Sequence, residues 1–246
     1  MTPRITILHT NDLHSHLTEA QAARLRALRD QVGEAGLLLD AGDAVSSGNL
    51  TFRLGGEPIL ERMSDAGYDA MVVGNREFHF TQAGFHAKVR RARFPVLSAN
   101  ARPTGPAVTL PVVPSITRVL TGGVRVAVFG VTVPMITERM LARKVSACVF
   151  EPPGEAAARE ARRLRPSCDL LICLSHAGLR ADREIAAADL GIDLIVGGHS
   201  HAVLPEGERI GGTLVVQGGW WGHYVGRVEV TFEEAQPALR ANLSAL

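Results

Sequence analysis

Short apolar runs alternate with helix-like stretches along most of the chain. The first run, residues 5–9, precedes a segment from about 18 to 32 in which Leu25 and Leu28 stand among alanines and arginines at helical spacing. Further apolar runs fall at 36–39, 70–73, 95–98, 124–131, 170–174 and 194–196, with helix-like segments near 57–66, 80–91, 154–165 and 181–189. Repeated strand–helix units are typical of an α/β fold, and they predict a largely parallel sheet covered by helices.

Two regions depart from this alternation. Four prolines between positions 103 and 114 exclude a regular helix and disfavour a central strand, so we expect an edge hairpin or a surface loop over 101–118. Residues 213–217 and 225–232 are predicted to be the last two strands. Because 246 residues are enough for one domain with a sizeable core, we expect residues 1–246 to form a single domain.

Composition and charge narrow the range of functions. Lysine and arginine together number 26 against 25 acidic residues, so the net charge of +1 does not indicate a nucleic-acid partner. No apolar stretch approaches the ~18 residues of a membrane span, and the first strand begins too early for a signal peptide. We therefore expect no membrane partner and a cytoplasmic location. The three cysteines lack a Cys-x-x-Cys spacing, which disfavours a disulfide framework and a thiolate zinc site.

Residue types that bind metals follow five of the apolar runs. The candidates are Asp12 and His14, then Asp43, Asn75 and His176, and finally His199 and His201. Because sites in open α/β sheets form outside the carboxyl ends of the strands, we expect these side chains to share one cleft. Taken singly, an aspartate or asparagine at such a place more often caps a helix or forms a turn. Taken together, they favour a metal site.

The donor types limit the choice of metal. Oxygen and nitrogen donors without cysteine suit Mn²⁺, Mg²⁺, Fe²⁺, Co²⁺ or Zn²⁺. Seven groups are too many for one tetrahedral ion but fit two ions that share a bridging carboxylate such as Asp43. Two such ions can bind a phosphoryl group and hold a hydroxide between them for in-line attack.

The motifs and their order resemble those of a known family. The strings ILHTNDLH (7–14), DAGD (40–43), GNREF (74–78), LSH (174–176) and GGHSH (197–201) resemble the calcineurin-like metallophosphoesterases. Within that family, the chain is most similar to the catalytic domain of bacterial 5′-nucleotidases and 2′,3′-cyclic phosphodiesterases. The resemblance implies a four-layer α/β/β/α sandwich. It also implies a dinuclear metal-dependent hydrolase of phosphoric esters, with nucleotides as the expected substrates and a metal-bridging hydroxide as the nucleophile.

The resemblance divides the ligands between the two ions. It implies one group of Asp12, His14 and His201, a second group of Asn75, His176 and His199, and Asp43 as the bridge. Manganese is the expected metal, with magnesium, iron, cobalt and zinc as alternatives.

One motif departs from the family pattern. The usual string Gly-Asn-His-Glu-Phe-Asp reads GNREFH at 74–79, so Arg76 stands at the histidine position and His79 at the aspartate position. Arginine is no general acid at neutral pH, but its guanidinium can bind phosphoryl oxygens and offset developing charge. His79, one turn away, is a candidate proton donor to the leaving group. The alternatives are a decayed dyad with metals alone in catalysis, or a catalytically weakened protein that is a metal- or nucleotide-binding regulator or depends on a partner.

Further residues are weaker candidates on the same rim. Asn100, Trp221 and His223 are candidates for substrate contact. His9 and Asn11 are expected to form hydrogen bonds that support the ligands or lie in the core, rather than to be ligands. Multidomain relatives use an additional C-terminal domain for much of nucleotide recognition, and we expect none in this chain. The substrate pocket would then be open, completed by a partner subunit, or built from loops such as 101–118.

A competing enzyme class is the α/β-hydrolases. The string GHSHA (198–202) resembles their nucleophile elbow, with Ser200 as the nucleophile. That elbow must run from a strand through a turn into a helix, whereas Pro205, Gly207 and Gly211 preclude a long helix here. The elbow also leaves the other ligand loops unexplained, and we reject this class.

Overall fold

A computed structural model describes residues 3–232 and 237–246 of the chain. Its strands are β1 (Arg4–Thr10), β2 (Gly36–Asp40), β3 (Ala70–Val72), β4 (Val96–Leu97), β5 (Ala101–Pro103), β6 (Ser115–Val119), β7 (Arg125–Thr132), β8 (Cys148–Phe150), β9 (Leu170–His176), β10 (Leu194–Gly197), β11 (Glu208–Ile210), β12 (Thr213–Val216), β13 (Tyr224–Thr231) and β14 (Ala238–Ala245). Its α-helices are α1 (Glu19–Val32), α2 (Pro58–Asp65), α3 (Gln82–Val89), α4 (Pro153–Leu164) and α5 (Leu179–Ala187). Short 3-10 helices lie at Gly33–Ala35, Thr121–Gly123, Leu141–Lys144 and Arg165–Ser167.

The described strands form two six-stranded sheets and a two-stranded ribbon. The first sheet has the order β14-β13-β1-β2-β3-β4, and the second has the order β11-β12-β10-β9-β7-β6. Strands β1 to β4 run parallel, as do β12, β10, β9 and β7, while the outer strands β13, β14, β11 and β6 pair antiparallel. The single, largely parallel sheet predicted from the alternation is therefore wrong. The chain builds two mixed sheets, each with a parallel centre.

Alternating side chains along the strands separate three layers of core. In β1, Ile5 and Ile7 face the second sheet, whereas Leu8 packs with residues of α1, α2 and α3. In β7, Val126 faces the first sheet and Phe129 packs against α4 and α5. Each sheet thus buries one face against the other sheet and one face against helices. The order of layers is α/β/β/α, which confirms the four-layer sandwich.

The helices lie where the sequence predicts them, within about three residues at either end. Helix α1 shows why, because its N-terminal cap and its apolar positions both indicate the same helix. The Thr18 hydroxyl accepts the backbone N–H of Gln21 (3.2 Å), and the Gln21 side chain accepts the N–H of Thr18 (2.8 Å), a reciprocal N-terminal cap. Leu25 then lies in the core. No helix of the described ranges is long and apolar enough to span a membrane.

The prediction for the proline-rich segment is confirmed, whereas the prediction for the last strand is wrong. Strand β6 pairs antiparallel with β7 at the sheet edge, which confirms the edge hairpin expected within 101–118, and β5 pairs with β8 in the separate ribbon. The prediction that 225–232 is the last strand is wrong, since β14 follows it and pairs with β13 from Tyr224↔Ala245 to Thr231↔Ala238. The sequence pattern did not predict β14 because only Leu239 among its residues is buried.

Candidate metal centre

The carboxyl ends of five strands meet at one edge of the sandwich. Their loops carry all the candidate ligands, namely Asp12 and His14 after β1, Asp43 after β2, Asn75 after β3, His176 at the end of β9, and His199 and His201 after β10. The two sheets contact each other here, because Asp12 Oδ2 accepts the His199 N–H (2.9 Å) and His176 Nδ1 lies 2.7 Å from the Ala41 carbonyl oxygen. The structure therefore places these side chains in one cleft between the sheets, as predicted.

Asp12, His14 and His201 form the first group. Nε2 of His201 lies 3.2 Å from Asp12 Oδ1 and 3.2 Å from His14 Nε2, and His14 Nε2 lies 3.8 Å from Asp12 Oδ1. Asp12 Oδ1 is buried without a hydrogen-bond partner in the described part of the chain. Burial lowers the pKa of His14, which favours the neutral imidazole that a metal needs. Two imidazole nitrogens and an unpaired carboxylate oxygen facing one point fit a divalent ion.

Asp43, Asn75, His176 and His199 form the second group. His176 Nε2 lies 3.3 Å from both Asp43 Oδ1 and Asn75 Oδ1, and His199 Nδ1 lies 2.9 Å from the same Asn75 oxygen. Donor atoms of Asp12, Asp43 and His176 also lie within 4.8 Å of one another, so Asp12 adjoins both groups. The seven predicted ligands are thus brought together. Ligation itself, and the bridging role of Asp43, stay predictions.

The charge of the buried His176 depends on Asp43. Burial, the largest single influence, disfavours the imidazolium, but the carboxylates of Asp43 and Asp12 and the Ala41 carbonyl together outweigh it and raise the pKa of His176 to about 9. Burial also opposes charge on Asp43, where the His176 imidazolium prevails and lowers the pKa of the carboxyl. Because metal ligands must lose their protons, an ion would replace the proton of this pair. The Ala41 carbonyl beside Nδ1 leaves Nε2 to face the ion.

Five of the seven candidate ligands have a left-handed backbone. The φ angle is 52° at Asp12, 45° at His14, 54° at Asp43, 72° at His199 and 55° at His201. Residues other than glycine adopt this region seldom, and each such residue costs of order 1–3 kcal/mol unless its surroundings hold it there. The concentration of these residues in one cleft indicates a functional constraint on the loops.

Two glycines allow the ligand loops to approach one another. A Cβ atom on Gly198 would lie 2.6 Å from the Ala41 carbonyl oxygen and 2.9 Å from His176 Nδ1. A Cβ atom on Gly74 would overlap the Asp43 carboxylate. Since a larger residue does not fit, Gly198 allows the two sheets to approach each other, and Gly74 allows the loops after β2 and β3 to approach each other.

Glu77 ties the loop after β2 to the loop after β3, a role that the sequence analysis missed. The buried carboxylate accepts the backbone N–H groups of Gly74 (2.7 Å), Asp43 (3.0 Å) and Val45 (3.0 Å). Burial, assisted by the charge of Asp43, raises the pKa of Glu77 to about 7. The available signal was the position of this glutamate inside the GNREF motif, between two residues with assigned roles.

Asn11 and His9 were predicted to form hydrogen bonds that support the ligands or lie in the core, and in the described part of the chain only the Asn11 side chain forms such a hydrogen bond. Asn11 Nδ2 donates to Asp12 Oδ2 (2.8 Å), and Asn11 Oδ1 accepts the N–H of Gly218 (2.9 Å), so the amide orients the Asp12 carboxylate. His9 is buried against Gly226, where a Cβ atom would overlap its ring. Its Nδ1 has no hydrogen-bond partner among the residues described, and burial lowers the pKa of His9 to about 4.

Arg76 lies at the rim of the candidate metal centre and contacts Asp43. Its backbone N–H donates to Asp43 Oδ1 (2.7 Å), its Nε lies 3.9 Å from Asp43 Oδ2, and its Nη1 donates to the Ser46 carbonyl (2.9 Å). The side chain is 42% exposed. The guanidinium therefore lies beside the predicted bridging carboxylate and remains open to solvent, a placement that suits contact with a phosphoryl group.

The contacts of His79 differ from those of Arg76. The ring is buried, its Nδ1 accepts the N–H of Thr81 (3.0 Å), and it forms a T-shaped pair with Phe52 at 5.0 Å between ring centres. Because Nδ1 accepts, the proton of the neutral ring is on Nε2. Within the described residues, no hydrogen bond or ion pair joins His79 to any of the seven ligands. Its role as proton donor stays a prediction without support from these contacts.

The substrate-contact prediction for Asn100 is wrong, since its side chain is fully buried and already paired. Asn100 Nδ2 donates to the carbonyls of Thr132 (2.7 Å) and Glu151 (3.0 Å), while Oδ1 accepts the Thr132 N–H (3.0 Å). The amide thus joins the corner after β4 to the end of β7. The Asn100 amide is thus occupied by backbone groups and by the Ser98 hydroxyl, which donates to Oδ1 (3.3 Å).

Aromatic rings line one side of the centre. Trp220 stacks on His201 with 5.7 Å between ring centres, and Trp221 stacks on His16 at 4.6 Å. His223 meets both indoles edge-on, at 5.5 and 6.2 Å. Trp221 is 45% exposed, has φ of 57°, and donates its backbone N–H to the Asp12 carbonyl (2.9 Å). Trp221 and His223 therefore lie on the rim where substrate contact was predicted.

Ser200 has no nucleophile-elbow geometry. Its hydroxyl donates to Gln217 Oε1 (2.8 Å) and accepts the N–H of Leu179 (3.2 Å). The residues after it form loop rather than helix up to β11. Within the described chain, this serine acts as a connector between the second sheet and α5, which agrees with the rejection of the α/β-hydrolase class.

Comparison with known proteins places the chain in a family. Residues 5–203 match the model of the calcineurin-like phosphoesterases, so the chain belongs to this family. Members of the family use divalent metal ions, in agreement with the two donor groups.

Particular relatives are nucleotide-hydrolysing enzymes. The chain is 31% identical to the trifunctional nucleotide phosphoesterase protein YfkN of Bacillus subtilis, over 98% of this chain and 19% of that protein. It is 32% identical to the 5′-nucleotidase of Bos taurus, over 94% of this chain and 47% of that protein. A crystal structure of a 5′-nucleotidase precursor from Thermus thermophilus superposes with a TM-score of 0.83 and 27% identity, covering 99% of this chain and 54% of that one. The chain thus spans about half or less of the length of these relatives.

Proposed function

We propose that the protein hydrolyses phosphoric esters of nucleotides with two divalent metal ions, of which manganese is the expected one. The observation that supports this most is the pair of adjoining donor groups at the ends of strands from both sheets. One ion would be held by Asp12, His14 and His201, the other by Asn75, His176 and His199, and Asp43 would be shared. When bound, the ions supply an activated water as nucleophile and offset the negative charge of the phosphoryl oxygens.

Arg76 contributes a fixed positive charge to the same reaction. Its guanidinium lies beside Asp43 and faces solvent, where it can bind a phosphoryl oxygen and stabilise charge that develops in the transition state. Because this interaction is strongest in the transition state, Arg76→Ala is expected to lower kcat by about 10²-fold with a smaller change in KM.

His79 is the remaining candidate for protonation of the leaving group, through the N–H of its Nε2. The competing possibility is that water supplies this proton and that the family dyad has been lost. Replacement of His79 with Ala separates the two on an alkyl ester, whose poor leaving group needs a proton. A changed pH profile supports His79, whereas an unchanged rate and profile removes it from the mechanism.

Nucleotides are the proposed substrates for two reasons. The relatives are enzymes named for nucleotide substrates, and the rim beside the metal centre carries the exposed indole of Trp221 with His223 next to it. Aromatic side chains stack on nucleobases. A partner subunit that completes the pocket, and the cytoplasmic location, remain predictions of the sequence.

The decisive experiment measures phosphate release from a panel of nucleoside monophosphates and an aryl phosphodiester. Each substrate is tested with Mn²⁺ and with a chelator, using the wild type and Asp43→Asn. The matched control is Asp30→Asn, which changes an exposed aspartate on α1. We expect turnover that needs metal, is abolished by Asp43→Asn and survives Asp30→Asn.

The same experiment tests the second candidate function, a metal- or nucleotide-binding regulator. The altered dyad at Arg76 and His79 is the observation that favours it. Two bound ions per chain without turnover on any ester would support the regulator. The absence of bound metal would overturn both candidates.

A further inference from the structure

Lys88 lies fully buried beneath the rim of the metal centre, at the end of α3. It is one of two lysines in a chain whose lysines and arginines together number 26, so arginine is the usual basic residue here. An ammonium is a compact point charge with three rotatable donors, whereas a guanidinium is a planar fork. The presence of lysine at this buried position therefore indicates a site shaped for an ammonium.

The site is a cage of backbone carbonyl oxygens. Nζ of Lys88 lies 3.3 Å from Ser47 O, 2.8 Å from Gly48 O, 2.5 Å from Arg76 O and 3.2 Å from Phe78 O. Two of these carbonyls belong to the loop after Asp43, and two belong to the loop that carries Asn75 and Arg76. The ammonium thus ties together two loops that approach the metal centre from neighbouring strands.

The charge of Lys88 is balanced inside the protein. Burial lowers the pKa of Lys88 to about 8, while the carboxylates of Glu77 and Glu57 oppose this effect, so the amine is mainly charged at neutral pH. Glu57 is itself buried and accepts a hydrogen bond from the Ser47 hydroxyl (3.0 Å), which links it to the same loop. An apolar residue in place of Lys88 would leave the four carbonyl oxygens and the carboxylates of Glu57 and Glu77 without this cation.

Arg76 is held on two sides by this arrangement. Its carbonyl oxygen accepts from Lys88, and its own guanidinium donates to the Ser46 carbonyl (2.9 Å), next to the carbonyls that Lys88 binds. The loop of residues 46–48 is therefore fixed by Lys88 from below and is in turn a support for the Arg76 side chain. These two contacts add to the backbone hydrogen bond from Arg76 to Asp43 Oδ1 (2.7 Å) in holding the guanidinium beside Asp43.

We propose that Lys88 is the positioning residue for Arg76: its ammonium locks loops 46–48 and 76–78 together and so fixes the guanidinium against the substrate phosphoryl group. This inference rests on the proposed phosphoesterase function for its kinetic readout. It assigns Lys88 no contact with substrate or metal.

The first test is a double-mutant cycle. Lys88→Met keeps the length of the side chain but removes the charge and the donors, and Lys144→Met, at the other, exposed lysine, is the matched control. In the wild-type background Lys88→Met is expected to lower kcat by about 10- to 100-fold with KM changed less than about threefold, because misplaced charge costs transition-state stabilisation. In the Arg76→Ala background the same change should cost less than about threefold. An equal loss in both backgrounds would overturn the proposal.

A second test covers the case in which Lys88→Met folds poorly. Lys88→Ala leaves a cavity open to a small alkylammonium, so propylammonium should restore activity and tetramethylammonium, which has no N–H donor, should not. Equal effects of the two salts would count against the carbonyl cage. Lys88→Arg, which keeps the charge but not the shape, should remain impaired, and wild-type kcat in Lys88→Arg would contradict the need for an ammonium.

Hydrogen exchange separates this proposal from the proposed function. If the wild type turns over no ester, the phosphoesterase proposal fails, but amide exchange in Lys88→Met still reports on the loops. We expect faster exchange confined to residues 46–56 and 75–80, with Lys144→Met like the wild type. Unchanged exchange, or exchange that is faster throughout the chain, would overturn the positioning role.

Discussion

At the scale of single residues, the metal centre is built from side chains whose backbones are unusual. His14 and His201 are left-handed and nevertheless aim their Nε2 atoms to within 3.2 Å of each other. Such conformations persist only where neighbours determine them. Here the His14 N–H donates to the Asp43 carbonyl (2.9 Å), and His201 Nε2 lies 3.2 Å from Asp12 Oδ1. Residue types and spacing were therefore enough to predict that these side chains meet in one cleft, whereas the backbone strain that positions them was not predictable from the sequence.

Gly198 offers a test of this close approach. Gly198→Ala is expected to weaken Mn²⁺ binding by about 10- to 100-fold, because the added Cβ atom must displace either the Ala41 carbonyl or the His176 ring that this carbonyl orients. Titration calorimetry with Mn²⁺ measures the affinity. Gly212→Ala is the control, since a Cβ atom there meets nothing within 4 Å. Equal affinities in the two variants would contradict the steric argument.

The lowered pKa of His9 predicts that the stability of the protein depends on pH. Burial lowers the pKa of His9 to about 4, from 6.5 when unfolded, so only the unfolded chain binds this proton between those values. Stability is thus unaffected above pH 6.5 and falls as the pH drops towards 4, by about 3 kcal/mol at about 1.4 kcal/mol per pKa unit. Urea unfolding of metal-free protein at pH 7.5 and 4.5 should show a larger loss for the wild type than for His9→Gln. Parallel losses would exclude His9 as the cause.

At the scale of elements, local signals and burial decided what the sequence could reveal. Helix α1 has its cap and apolar face within its own residues, and strands such as β9 are buried along their whole length. Strands β5, β8 and β11 are only three residues long. They exist because a partner strand is present, and pairing partners are not encoded locally.

The contribution of the N-terminal cap of α1 to the free energy of unfolding can be measured separately. Thr18→Ala is expected to lower the free energy of unfolding by about 1 kcal/mol, because the N–H of Gln21 loses its acceptor. Thr51→Ala serves as the reference, since Thr51 is exposed and its hydroxyl makes only a long contact, 3.4 Å, to Gly48 O. Urea unfolding should show a change below about 0.5 kcal/mol for the reference. Similar values for the two variants would mean that the cap is not what holds the helix start.

At the scale of the whole molecule, the division into two sheets was the feature that strand–helix alternation could not predict. Strand β1 pairs with β2 and with the distant β13, while β7 pairs with β9 in the second sheet. Both arrangements satisfy the same local pattern, and only the family resemblance implied the sandwich. The motifs were informative nonetheless, because the ends of the strands in both sheets carry the ligands.

This architecture makes metal binding a property of the entire fold. The donors belong to loops of both sheets, so an ion can bind all of them only when the sheets are packed, and it stabilises the folded state alone. Mn²⁺ at about 100 times its dissociation constant should raise the free energy of unfolding by about 2.7 kcal/mol per site, and a chelator should reverse the gain.

Thermal unfolding with Mn²⁺ and with chelator measures this stabilisation across variants. Asp43→Asn should lose most of the metal-dependent rise in melting temperature, because the carboxylate adjoins donors of both groups. Asp30→Asn, on the exposed face of α1, should keep it. A melting temperature that does not respond to metal in the wild type would show that the two groups of side chains hold no ion, and the strained loops of the cleft would then need another explanation.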